Sequence, residues 1–205
     1  DGNTFNVSYQ MGFNTNATFR NFQLTDGTAK DYLGFGADVR NLPSSFPAHL
    51  GEHSTDEAAA FTRQINQRWG INKFTAIPDQ KISLTSHRSY DVGGWKIGNI
   101  TNLNWSTEFD YSETVNNNYI AYDVKNDVSR PRFEYNDIRY KNTSKLGALF
   151  NWSFQRDGSK YELRNFFSQR GVSALTQREG MNYYSDKDIR KWESLYTGRT
   201  TYSGQ

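Results

Sequence analysis

The chain has 205 residues, which by length is one domain or at most two. Its 24 Lys and Arg against 22 Asp and Glu leave a net charge of +2, so no bulk field selects nucleic acid or an acidic surface. Cysteine and any long apolar run are absent and nearly half of the apolar residues are aromatic, which excludes disulfide scaffolds, thiol chemistry and membrane helices and leaves a polar, aromatic, β-rich chain.

Asp1-Gly2-Asn3 leads almost directly into a strand pattern with no signal segment, and Tyr202-Ser203-Gly204-Gln205 stops within another. Both ends read as cuts in a longer chain. Residues 4–14 alternate strictly: Phe5, Val7, Tyr9, Met11 and Phe13 share one face, and Asn6, Ser8, Gln10, Gly12 and Asn14 the other. From Phe5 to Phe13 is nine residues, the length a tilted strand needs to cross a bilayer, with aromatics at both ends.

A long connection is expected over 20–78. Ser54 and Glu57 within it form a capping box, and Ala58, Phe61, Ile65 and Trp69 recur near helical spacing up to Gly70, predicting a docked helix near 54–69. His49-Leu50-Gly51-Glu52-His53 matches an inverted zinc-peptidase pattern. The chemistry needs both histidines on one helical face. The capping box instead starts the helix after His53, so no metal or catalytic site is assigned.

Weaker alternation over 81–90 carries Ile82 and Leu84, and Gly93-Gly94 turns the chain into a strand over 95–111. There Ile97 is in phase with Leu103, Trp105, Phe109 and Tyr111, while Ile100 is out of phase, through either a bulge near Thr101 or an Ile100 turned inward. Glu108, Asp110 and Glu113 are candidates to line one face and attract a cation; a solvated strand end fits them better. Leu146, Ala148, Phe150, Trp152 and Phe154 alternate with Gly147, Leu149, Asn151 and Ser153. Asp157-Gly158 then makes a tight hairpin to a returning strand with Tyr161, Leu163 and Phe167. A last strand is expected over about 192–202.

The pattern predicts about six strands with long connections over 20–78, 116–133 and 171–188 and short turns at the other end, the asymmetry of outer-membrane barrels. Six Asn-x-Ser/Thr triplets begin at Asn6, Asn16, Asn99, Asn104, Asn142 and Asn151; the triplet has strand period, so the asparagines are read as lumen-facing rather than glycosylated. Gly34-Phe35-Gly36 lacks the third glycine of a dinucleotide fingerprint, and Gly171-Val172-Ser173-Ala174-Leu175 the closing glycine of a nucleophile elbow. Arg130-Pro131-Arg132-Phe133 is too sparse for a nucleic-acid surface. The reading is of a non-enzyme without cofactor: an all-β, antiparallel transmembrane barrel segment.

Asp31-Tyr32-Leu33-Gly34-Phe35-Gly36, then Arg40-Asn41-Leu42-Pro43, resembles a loop in the barrels of Bacteroidota TonB-dependent receptors, where Asp-Trp-Leu-Gly-Phe-Asp, Arg and Leu-Pro are expected. Tyr32 stands in place of the Trp and Gly36 of the second Asp. The loop helix leading to Pro78 and the hairpin through Leu146-Gly147-Ala148 and Leu163-Arg164-Asn165 are similar to the family as well. The resemblance implies a plugged barrel of about 22 strands, of which six would be roughly a quarter. It implies outer-membrane uptake of a nutrient such as a glycan, peptide or iron chelate. Outer-membrane lipid and TonB would be partners, the latter through a plug domain upstream of this stretch, and a surface lipoprotein is a further candidate. Tyr32, Phe35, Arg40 and Trp69 are the ligand-contact candidates in the longest loop. The runner-up is a secreted β-rich binding or adhesion module, and a metal-dependent hydrolase built on His49 and His53 comes third.

Overall fold

The computed structural model describes residues 2–65 and 70–205. Its strands and α-helix, among the described residues, are β1 (Thr4–Gly12), β2 (Asn21–Thr25), α1 (Thr55–Arg63), β3 (Ile71–Thr75), β4 (Asp79–Val92), β5 (Trp95–Asp123), β6 (Val128–Arg156), β7 (Ser159–Asn182) and β8 (Lys187–Gly204). Six of them form one open antiparallel sheet in the order β1-β4-β5-β6-β7-β8, and β2 and β3 pair separately. The sheet does not close; β1 and β8 are its edges.

The strands grow to 29 residues in β5 and β6. At 3.2–3.4 Å per residue they are roughly 95 Å long, about three times what a bilayer crossing requires. Two of the expected long connections are therefore corrected: 116–133 and 171–188 are strand, joined by four-residue turns at 124–127 and 183–186. Both turns use the same chemistry. The Asp123 carboxylate accepts from the Lys125 amide at 3.0 Å and the Asn182 side chain from the Ser185 amide at 3.1 Å, and Asp127 and Asp186 close the turns at φ of 55° and 49°. Residues 112–122 and 128–130 are exposed on both faces and 176–182 are at most half-buried, so they lack the apolar alternation that marks a strand in sequence.

At the opposite end lie the Gly93-Gly94 and Asp157-Gly158 turns. The latter has φ of 49° and 80°, the type I′ geometry that matches strand twist. The connection 13–78 leaves β1 and enters β4 at the other end, as the alternation of antiparallel strands demands.

Register settles the faces. Val7, Leu84, Leu103, Ala148, Phe167 and Tyr202 lie in one cross-strand row, and Tyr9, Ile82, Trp105 and Leu146 in the next. Pairing runs unbroken through Ile100, so Ile100 points to the polar face and no bulge occurs there. The register shifts fall at Asn118–Tyr119 and Tyr119–Ala121, opposite Pro131, which has no N–H to offer the ladder. Asn6, Asn104 and Asn151 lie on the polar face, but Asn99 and Asn142 lie on the apolar one and Asn16 in a turn, which corrects the common reading of the triplets. Glu108 and Asp110 share the polar face and pair with Lys145 and Lys141, whereas Glu113 is on the other and bonds the Tyr111 phenol.

The connection 13–78 is largely folded. β2 and β3 pair from Asn21↔Thr75 to Thr25↔Ile71, a hairpin-like pair whose strands are too short to announce themselves in sequence. α1 begins with the predicted box, the Glu57 amide donating to Ser54 Oγ and the Glu57 carboxylate accepting from the Ser54 amide, and it ends at Arg63. Ile65 lies past that end, and Trp69 lies outside the described residues. Leu50–Glu52 is a separate 3₁₀ turn ahead of α1, flanked by His49 and His53 as its caps, so the two histidines do not share one face of α1; the His53 ring packs edge-on to Phe61 at 5.2 Å.

Candidate functional site

The core of the molecule lies where the connection meets the sheet. Phe22 is fully buried, with ring centroids of Phe74, Phe109 and Tyr140 at 5.6, 5.4 and 5.2 Å. Ala17 and Ala76 complete the cluster. These contacts lie on the same face of β5 and β6 that carries Leu103, Trp105, Leu146 and Phe150, but farther along the strands. The connection thus covers the upper part of the apolar face and leaves the lower part open.

Beneath the connection the sheet is polar but saturated. Thr107, Asn142, Ser144, Gln169 and Ser173 are all buried. Asn142 donates to Thr107 Oγ1 at 3.0 Å and to the Glu108 carbonyl at 3.1 Å, and Gln169 donates to the Gly34 carbonyl at 2.5 Å. Among the described residues no buried side-chain nitrogen or oxygen lacks a partner. Polar groups on an otherwise apolar face are tolerated because each is bonded.

The Asp31-Tyr32-Leu33-Gly34-Phe35-Gly36 run forms the docking surface. Ala29–Leu33 is a 3₁₀ turn ended by Gly34 at φ 82°, a conformation that suits glycine. Gly34 meets Gly171 of β7 so closely that a Cβ on Gly171 would come within 2.6 Å of the Gly34 Cα. The glycines that fail as nucleotide or nucleophile motifs here let two backbones touch.

Three of the four predicted ligand-contact residues are placed by this docking. Arg40 donates to both carboxylate oxygens of Asp31 at 3.0 and 2.7 Å and to the Gly36 carbonyl at 2.6 Å, and its guanidinium lies 4.3 Å from the Tyr196 ring centroid. The Gly36 amide donates to the Tyr196 hydroxyl at 2.8 Å. Burial pushes the Tyr196 phenol above its usual pKa, against the opposing effects of that amide and of Arg40. Phe35 stacks on Phe167 at 6.3 Å and 14°. Tyr32 is half exposed, its carbonyl accepts from Trp105 Nε1 at 2.6 Å, and it lines a cleft of about 200 Å³ with Phe74, Phe109, Asn142 and Ser173. Arg40 and Phe35 are committed to holding the connection, and Tyr32 alone of the three opens on a cavity.

The polar face offers a second, charged hollow of about 310 Å³ high on β6–β8, which sequence reasoning did not find. Asp137, Arg139, Arg178, Lys191 and Glu193 line it. Arg178 grips Asp137 with two bonds of 2.7 and 2.6 Å, which holds the carboxyl below its usual pKa. These residues come together only through register, and Arg178 falls in a stretch, 171–188, that the sequence pattern predicts as a connection. Among the described residues no group of three or more His, Cys, Asp or Glu is placed to hold a metal ion.

No protein-family model, curated protein or solved structure matches this chain.

Proposed function

We propose that this chain is part of the wall of an outer-membrane transport barrel, with the connection 13–78 folded against the strands on the extracellular side. The observation that carries this reading is the open apolar band below the connection. On one face Phe5, Tyr161 and Tyr202 are 65%, 62% and 69% exposed, and Phe150 is 45% exposed at the centre of the sheet. Water-exposed apolar patches of this extent mark an interface. The band spans 97–105 on β5 and 146–154 on β6, close to the 9–11 residues of a tilted bilayer crossing. Trp95, Phe154 and Tyr161 crowd its lower rim, with Trp95 and Tyr161 rings 6.3 Å apart, and Tyr9 and Trp105 stand at its upper rim. Arg88 and Asn99 interrupt it near the lower rim, where Asn99 is bonded to the Asn151 carbonyl at 3.1 Å. The opposite face is predominantly polar, as a lumen requires, with Ile100, Leu149 and Phe166 its apolar members at this level, and the edges β1 and β8 are free to pair with further strands.

The resemblance of the 31–43 run to TonB-dependent receptors supplies the rest: nutrient uptake of a glycan, peptide or iron chelate, with lipid and TonB as partners and energy coupling through a plug. The test uses neighbours on β6. Phe150 lies in the band and Asn151 on the polar face. Phe150→Arg should cost about 2–4 kcal/mol and impair insertion. Asn151→Arg loses a 3.1 Å bond from the Asn165 amide and faces Arg164, for roughly 1 kcal/mol. Heat-modifiable gel mobility of the membrane-extracted protein distinguishes them. Equal tolerance would remove the membrane reading and favour a secreted binding module.

A further inference from the structure

Strand pairing creates one electrostatically unfavourable row on the polar face. Lys81, Ser106, Lys145, Arg170 and Arg199 stand directly opposite one another on β4, β5, β6, β7 and β8. Adjacent strands lie about 4.8 Å apart, so four cations share a line of roughly 19 Å. Like charges directly opposite in a sheet destabilise it.

Lys145 is offset by Glu108 at 3.1 Å. Farther along the same face Lys141 holds Asp110, and Arg178 holds Asp137. Arg170 and Arg199 have no such relief. Both are exposed, and neither makes an ion pair or a side-chain hydrogen bond among the described residues. The positions flanking them on the same face are Ser168 and Val172 on β7, and Thr197 and Thr201 on β8. None of these flanking positions carries a carboxylate.

We propose that Arg170 and Arg199 form a clamp for an oxyanion of a hydroxyl-rich ligand, an acidic saccharide bearing carboxylate or sulfate groups. The proposal rests on reading the polar face as the lumen of a transport barrel. Two guanidinium groups on adjacent strands offer paired N–H donors in the fork geometry that oxyanions accept. Ser168, Thr197 and Thr201 add neutral hydroxyls around them. A bound anion removes the repulsion that the empty row carries.

The test is calorimetric titration of the protein in detergent micelles with three probes: tri-galacturonate, a sulfated heparin disaccharide and neutral maltotriose. Either or both anionic probes should bind and maltotriose should not, with affinity falling between about 50 and 200 mM salt. Carboxylate and sulfate specificity are told apart by which of the two anions binds more tightly. Arg170→Gln and Arg199→Gln should each weaken anion binding by about tenfold or more. Lys160→Gln, an equal charge change at the far end of β7 on the same face, should leave it within about twofold. Neither arginine variant should lower the melting temperature, because each relieves like-charge opposition. Failure of both anions to bind, an equal loss in Lys160→Gln, or a fall in melting temperature with either arginine variant would overturn the clamp. The membrane reading is judged by Phe150 and Asn151, which lie outside this row, so the two can fail separately.

Discussion

Removing the Phe22 ring should release the connection from the sheet without unfolding the sheet. Phe22 is fully buried and holds three rings from three different strands within 5.2–5.6 Å. Truncating such a core phenylalanine to alanine costs about 3–5 kcal/mol, the transfer loss plus the cavity left behind. Phe22 takes no part in the six-stranded ladder, so the loss falls on the docked state of the connection. Three amides report on that state alone: Phe19 bonded to the Ala76 carbonyl, Ala76 to the Arg20 carbonyl and Asp26 to the Gly70 carbonyl. At 1.36 kcal/mol per decade, their hydrogen-exchange protection in Phe22→Ala should fall by about 10²- to 10⁴-fold. Amides of the β5–β6 ladder near Leu103 and Ala148 should keep theirs. Exchange resolved by mass spectrometry on the micellar protein measures both. Equal loss in ladder and connection would refute the claim that docking is separable, and no loss at all would refute the hub.

Other outcomes follow from the same contacts. Gly171→Val should undock the 31–36 run, because a Cβ there meets the Gly34 Cα at 2.6 Å, and tryptic cleavage at Lys30 and Arg40 should accelerate. In intact cells, added protease should cut within the connection before it reaches the Gly93-Gly94 or Asp157-Gly158 turns; cleavage confined to those turns would invert the proposed topology. Arg178 depresses the Asp137 pKa, so the pair's stabilisation is fully present above the unfolded carboxylate value near about pH 4 and is lost as pH falls through the lower folded value. The melting-temperature difference between wild type and Arg178→Gln should therefore be constant above about pH 5 and shrink in stronger acid. A difference that persists unchanged at about pH 2 would assign the effect to packing. Ser54→Ala removes the capping box and should cost about 1 kcal/mol, read as faster amide exchange confined to α1.

The comparison between sequence and structure divides along the range of the interactions. Alternation is local: Phe5, Val7, Tyr9 and Met11, or Leu146 to Phe154 by twos, assign a face because a strand has a period of two whatever surrounds it. The Asp157-Gly158 turn and the Ser54–Glu57 box were legible for the same reason, each being satisfied within four residues. Where neither face is buried the signal disappears. The far ends of β5, β6 and β7, beyond Phe109, Tyr135 and Leu175, are held by backbone ladder with little burial, and Asp123 with Asp127, or Asn182 with Asp186, was the remaining mark of a turn there. Arg40 and Phe35 could be singled out in sequence, but their tasks are set by Tyr196 and Phe167, more than 130 positions away. The Arg170–Arg199 opposition likewise exists only through register. Sequence alone determined which residues alternate and where the short turns fall, since those depend on neighbours along the chain. Tertiary structure decided where the connection docks, which glycines touch and which charges meet, because those depend on residues that only pairing and packing bring together.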